Sequence, residues 1–244
     1  MDTVTRLVAD PSAWAALATL IAMEVVLGVD NLVFIAILTN RVEAARRSLA
    51  RIAGLSLALL FRLALLAFAV ELVRLTKPLA TIFGHAFSAR DLVLLAGGLF
   101  LVWKATGEIH ERVDPDAEED DRAPAPRLGL TSALFQIVLI DIVFSVDSII
   151  TAVGMTGEFP IMAAAVIVAV LTMMFASGPL GDFIHRNPTV LMLALSFLLM
   201  IGMTLIADGF GFHIERGYIY AAMFFSSLVE TLNTLARRKA RKAP

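Results

Sequence analysis

Cysteine is missing from all 244 residues, which excludes disulfides, thiolate metal ligands and redox-active thiols. Charge is scarce as well. Only 17% of residues are charged and 59% are hydrophobic, whereas a soluble domain carries about a quarter charged residues. With a mean hydropathy of +0.82, the apolar surplus needs lipid as its solvent. Histidine is sparse, and His85, His110, His185 and His213 all lie away from the middle of any hydrophobic run, which argues against imidazole-rich zinc or copper sites. No nucleophile–base pair and no phosphate-cradling glycine loop is legible. The chain is therefore expected not to be an enzyme and to bind no nucleic acid.

What is present is a series of long apolar runs. Windows of about 20 apolar residues mark membrane helices. The sequence predicts seven of them, at about 12–38, 50–73, 91–110, 131–155, 160–181, 188–207 and 218–236. Asn40, Lys77-Pro78, Pro115, Gly157 with Pro160, Asn187-Pro188 and Gly209 with Gly211 punctuate them. The run opening near Ser12 is about twice the length of a signal-peptide core and holds two acids, so it reads as a mature helix. The expected fold is an all-α polytopic membrane protein.

Basic residues set the expected orientation. Arg41, Arg46, Arg47 and Arg51 follow the first span, and Arg237, Arg238, Lys239, Arg241 and Lys242 end the chain. Both segments on the cytoplasmic side put the N-terminus outside and the C-terminus inside, which an odd number of spans satisfies. The segment with Arg74, Lys77 and Arg90 then falls outside and counts against the scheme.

Two segments in this oily background nearly repeat one another. Glu24-Val25-Val26-Leu27-Gly28-Val29-Asp30-Asn31-Leu32 lies in the first span and Asp141-Ile142-Val143-Phe144-Ser145-Val146-Asp147-Ser148-Ile149 in the fourth. Three spans separate them, so the second copy enters from the opposite side. The expectation is a 3+3 inverted repeat followed by one C-terminal helix, with the signature helices meeting near the midplane, where secondary transporters bind their substrates. The first repeat covers residues 1–110, an acidic cytoplasmic linker 111–130 and the second repeat 131–210. The seventh helix and basic tail occupy 211–244.

An Asp at a helix centre costs about 2.5 to 3.5 kcal/mol on insertion scales, and such residues mark functional sites by default. Glu24 and Asp30 stand about 120° apart around a regular helix and ~9 Å apart along it. They cannot share an ion unless the helix breaks. Gly28 and, at the equivalent place, Ser145 are the expected backbone-shaping residues. The expected metal ligands are Glu24, Asp30, Asn31, Asp141, Asp147 and Ser148. All offer oxygen, which suits Mn²⁺, Ca²⁺ or Mg²⁺. Four core acids face one central base, Arg62, leaving negative charge for metal ions or protons to meet. Arg62, and Glu230 with Asn233 one turn apart in the last span, are candidates to support the site. Arg62 could also act as a tethered cation in the empty site.

The first signature segment continues as Val33-Phe34-Ile35-Ala36-Ile37. Together with Asp141–Ile149 and the later runs Ala207-Asp208-Gly209-Phe210-Gly211-Phe212-His213-Ile214 and Gly217-Tyr218-Ile219-Tyr220, it resembles the TerC family of bacterial integral membrane proteins. The likeness extends from about residue 12 to 233 and omits the acidic linker. It implies an inner-membrane location, a role in metal homeostasis or tellurium resistance, and Mn²⁺ efflux in exchange for protons. The alternative it leaves open is a metal-binding membrane scaffold without transport of its own. Oligomeric state stays open.

The acidic run from Glu108 to Asp121, ahead of Pro124 and Pro126, reads as a flexible linker. The basic tail reads as a headgroup anchor. Asp208, His213 and Glu215 fit either an outer vestibule or a turn, and the methionines of spans five and six fit apolar packing.

Overall fold

The structure is a computed structural model that describes residues 10–68, 76–82, 85–113, 128–156 and 158–240. Arg74, most of the acidic linker, the side chains of Arg237, Arg238 and Lys239, and residues Arg241 and Lys242 lie outside what is described. The described elements run α1 (Pro11–Leu27), α2 (Val29–Asn40), a 3₁₀ turn (Ala44–Arg46), α3 (Arg47–Ala67), β1 (Pro78–Ile82), β2 (His85–Ser88), α4 (Ala89–Val113), α5 (Leu130–Met155), α6 (Phe159–Arg186), α7 (Pro188–Gly209) and α8 (Arg216–Ala240).

Local chemistry sets the helix ends. Asp10 caps α1 by accepting the Ser12 N–H at 2.9 Å, with Pro11 in the first turn. Pro160 and Pro188 likewise lie in the first turns of α6 and α7. Ser88 and Asp91 cap α4 reciprocally: Asp91 Oδ2 accepts the Ser88 N–H at 2.8 Å, and Ser88 Oγ accepts the Asp91 N–H at 3.2 Å. At the far end of α2, Arg47 donates to the carbonyls of Asn40 (3.0 Å) and Val42 (3.1 Å), satisfying acceptors that a helix C-terminus leaves open.

Five helices, α3 to α7, are long and apolar enough to cross a membrane, and α1 with α2 forms a broken span bent by 41°. The described residues thus give up to six spans, where the sequence predicts seven. The difference is α8. It has 25 residues and is not among the helices that the described residues show to be long and apolar enough to span. Helix α6 runs through Pro179 to Arg186, beyond the predicted end at 181. Outward-facing Trp103, Phe135, Phe175 and Phe224 are suited to lipid.

Inside, α4 packs along α7, α3 along α5, and α1 and α2 along α6. First elements of one half meet second elements of the other, third meets third, and α3 also packs on α6. The main core joins Phe34, Leu38, Leu94, Leu101, Ile140, Phe144, Val170 and Leu198. Glycines permit the closest approaches. A Cβ on Gly98 would lie 2.7 Å from the Gly202 carbonyl oxygen, and one on Gly202 would lie 3.0 Å from that of Gly98.

Candidate functional site

The break between α1 and α2 falls at Gly28, between Glu24 and Asp30. Gly28 has φ −84° and ψ −6°, a conformation any residue adopts, so its value is space rather than backbone freedom. A Cβ there would come within 2.0 Å of the Met173 methyl and 2.9 Å of the Glu24 carbonyl oxygen. At the equivalent place in the second segment the backbone is regular. Helix α5 runs unbroken through Ser145, because the Ser145 hydroxyl donates back to the Asp141 carbonyl at 2.5 Å and stays within the helix.

One polar cluster is centred on Arg62 of α3, which reaches three groups on two other helices. Nη1 donates to Glu24 Oε2 at 2.9 Å, Nη2 to Asp141 Oδ1 at 2.6 Å and Nε to Ser145 Oγ at 3.0 Å. The Asn31 amide also donates to Asp141 Oδ1, at 3.0 Å. Glu24, Arg62 and Asp141 are 2%, 3% and 7% exposed. Two carboxylates against one guanidinium leave the cluster formally negative, and Glu24 Oε1 is buried with no hydrogen-bond partner. Ser148 lines the same cleft as Glu24, Asn31 and Arg62. The two signature segments therefore do meet, through Glu24 and Asn31 from one and Asp141, Ser145 and Ser148 from the other.

Asp147 and Asp30 lie apart from that centre. Asp147 is held by Arg90, at the start of α4, and by Arg216, at the start of α8, the latter at 2.5 Å. Asp30 is buried, its Oδ1 lacks a hydrogen-bond partner, and it lines a cavity of about 20 Å³ with Thr204, Arg216 and Tyr220. Arg216 also lines the Glu24–Arg62 cleft, so it borders both clusters.

This arrangement corrects two expectations. The four carboxylates do not converge on one centre, and among the described residues no group of three Asp, Glu or His side chains is placed to hold a metal ion. Arginines stand between them. Nor is Arg62 the lone counter-charge: Arg90 and Arg216 join it, leaving the four acids one positive charge short of balance. Arg90 had a signal in the sequence as a base on the side that orientation reasoning leaves poor in bases. Arg216, 69 positions from Asp147 along the chain, had none.

Glu230 and Asn233 lie on α8. Glu230 lines an apolar groove with Val33, Phe183 and Phe197, and Asn233 is exposed. Asp208 ends α7, where it accepts the Ile214 N–H at 3.4 Å and faces His213 at 3.5 Å, as a turn requires.

Comparison with known proteins bears out the likeness carried by the signature segments. The inner membrane protein YgdQ of Escherichia coli is 50% identical over 232 residues, covering 95% of this chain and 97% of its own length. Two longer Escherichia coli proteins, the inner membrane protein YoaE and protein YegH, are each 51% identical over 94% of this chain. The chain spans 44% and 43% of their lengths. No solved structure matches the chain. The family model for the integral membrane protein TerC family matches residues 9–243, and the chain belongs to that family.

Proposed function

We propose that this chain is an inner-membrane transporter that exports a divalent cation, with Mn²⁺ favoured and Ca²⁺ and Mg²⁺ as the other candidates. The observation that carries this reading is Glu24 and Asp141, one from each signature segment, buried around a single positive charge. Carboxylates, an amide and hydroxyls are the donors that hard cations take. Arg62 acts as a tethered cation in the state described. A divalent ion displaces it to reach Glu24 and Asp141, with Asn31 and Ser148 close by. Asp30 and Asp147 join when Arg216 withdraws, and protons exchange as the metal leaves. The two halves rock against each other as an inverted repeat, with the N-terminus outside and α8 crossing to a cytoplasmic C-terminus. No bond is made or broken in the substrate, so the chain is no enzyme.

Manganese content of cells producing wild type, Glu24→Gln or Asp141→Asn tests this. Wild type should lower internal manganese at least several-fold better than either variant. Equal lowering by all three would reject the assignment. One observation favours a second reading: Asp141 and Asp147 already hold arginine partners, as they would in a metal-binding scaffold or a purely structural network. Purified chain in liposomes separates the two, because a scaffold binds Mn²⁺ without passing it. Tellurite is a poor fit as substrate, since buried carboxylates repel oxyanions.

A further inference from the structure

The end of the bundle carrying the arginine-rich turn holds a cavity of about 280 Å³ that shares no lining residue with the Glu24–Arg62 cleft. Three segments build it: the turn from α2 to α3, the last turns of α4, and the junction of α6 with α7. Arg41, Arg47, Arg112 and His185 line it together with Glu43 and Glu108. A cation passing this way would meet more positive than negative charge.

The acids in this cavity are already spoken for. Glu108 is held by Arg41 at 2.9 Å and by Lys104 at 3.2 Å, Arg41 also meets Glu111, and Glu43 stands 3.9 Å from Arg46. Arg47 is fixed through carbonyl oxygens, which orient a guanidinium without cancelling its charge. Among the described residues the positive excess therefore rests on Arg47 and Arg112, with His185 as a further polar donor. Ile37, Val42 and Leu191 supply an apolar wall beside these groups. A pocket with guanidinium donors on one side and hydrocarbon on the other suits a phosphate group attached to something apolar. Basic pockets between membrane helices on the cytoplasmic side bind acidic headgroups in this way, and planar guanidiniums recognise phosphate oxygens in pairs.

We infer that this cavity is a binding site for a phosphate-bearing anion, with Arg47 and Arg112 as its principal ligands and His185 assisting. An acidic lipid headgroup and free phosphate share that chemistry, and the apolar wall favours the lipid. The site is independent of the transport reading and stands or falls separately.

The test uses the whole purified chain in dodecylmaltoside micelles, followed by thermal unfolding. Phosphatidylglycerol, phosphatidylcholine and inorganic phosphate are added in separate arms. Phosphatidylglycerol should raise the unfolding midpoint by several degrees over phosphatidylcholine. If inorganic phosphate gives the same gain, the source is soluble phosphate and the site is upheld. The double variant Arg112→Gln/His185→Gln leaves the Arg47 cap untouched, and should need at least five-fold more phosphatidylglycerol for the same shift. Arg186→Gln, at the same end but outside the lining, should behave as wild type. Indifference to both anions overturns the inference. So does an undiminished response in the double variant, or an equal loss in Arg186→Gln.

Discussion

Arg62 approaches Asp141 to 2.6 Å in a region where neither side chain is more than a tenth exposed. Removing one member of such a pair is far costlier than never having built it, since the survivor keeps its charge without water or partner. The loss is about 3–5 kcal/mol. Arg62→Met strands two carboxylates, so the purified variant should unfold at a clearly lower temperature than wild type. The triple variant Glu24→Gln/Arg62→Met/Asp141→Asn, which leaves no stranded charge, should recover most of that loss. Added Mn²⁺ should stabilise Arg62→Met more than wild type, because the metal no longer competes with a tethered guanidinium. A variant indifferent to Mn²⁺ would count against Arg62 as the group the ion displaces.

Asp30 makes the opposite prediction. Its Oδ1 is buried without a hydrogen-bond partner, and a buried polar atom left unsatisfied is a cost the fold carries. Asp30→Asn should therefore unfold at the same temperature as wild type or higher, while losing much of any manganese export. Stability gained as activity falls is the mark of a residue kept for function. Thermal unfolding and cellular manganese content, measured on one variant, decide the matter. A marked drop in stability would assign Asp30 to the scaffold.

Much of this architecture can be read from the residues, because lipid imposes a simple code. Five of the predicted apolar runs appear as single helices and the first as a broken pair, with the break at Gly28 between the two acids. The meeting of Glu24 with Asp141 also follows from the repeated segments. What the sequence conceals is charge arriving from a distance. Arg90 and Arg216 reach Asp147 from helix starts 57 and 69 positions away, and no periodicity connects them. Ser145 acts locally: its hydroxyl closes onto the Asp141 carbonyl within the helix. Helix α8 carries the seventh apolar run, with Glu230 and Asn233 set among its aromatic and aliphatic residues.

The contact between α4 and α7 yields a prediction about packing alone. Lipid tails are as apolar as leucine, so membrane helices associate through close packing, and small residues let their backbones approach. A Cβ at position 98 would meet the Gly202 carbonyl oxygen at 2.7 Å, Ile206 Cγ1 at 2.8 Å and the Ile206 nitrogen at 3.0 Å. Two of those three atoms are backbone and cannot turn aside, so Gly98→Ala must push the helices apart. Gly107 lies on the same helix with nothing within 4 Å of its would-be Cβ. There alanine should be neutral or stabilising by roughly 0.5–1 kcal/mol, the ordinary helix preference over glycine. Thermal unfolding of the two variants side by side should lower the midpoint for Gly98→Ala and leave or raise it for Gly107→Ala. If Gly98→Ala matched wild type, the tight crossing of α4 and α7 would be wrong.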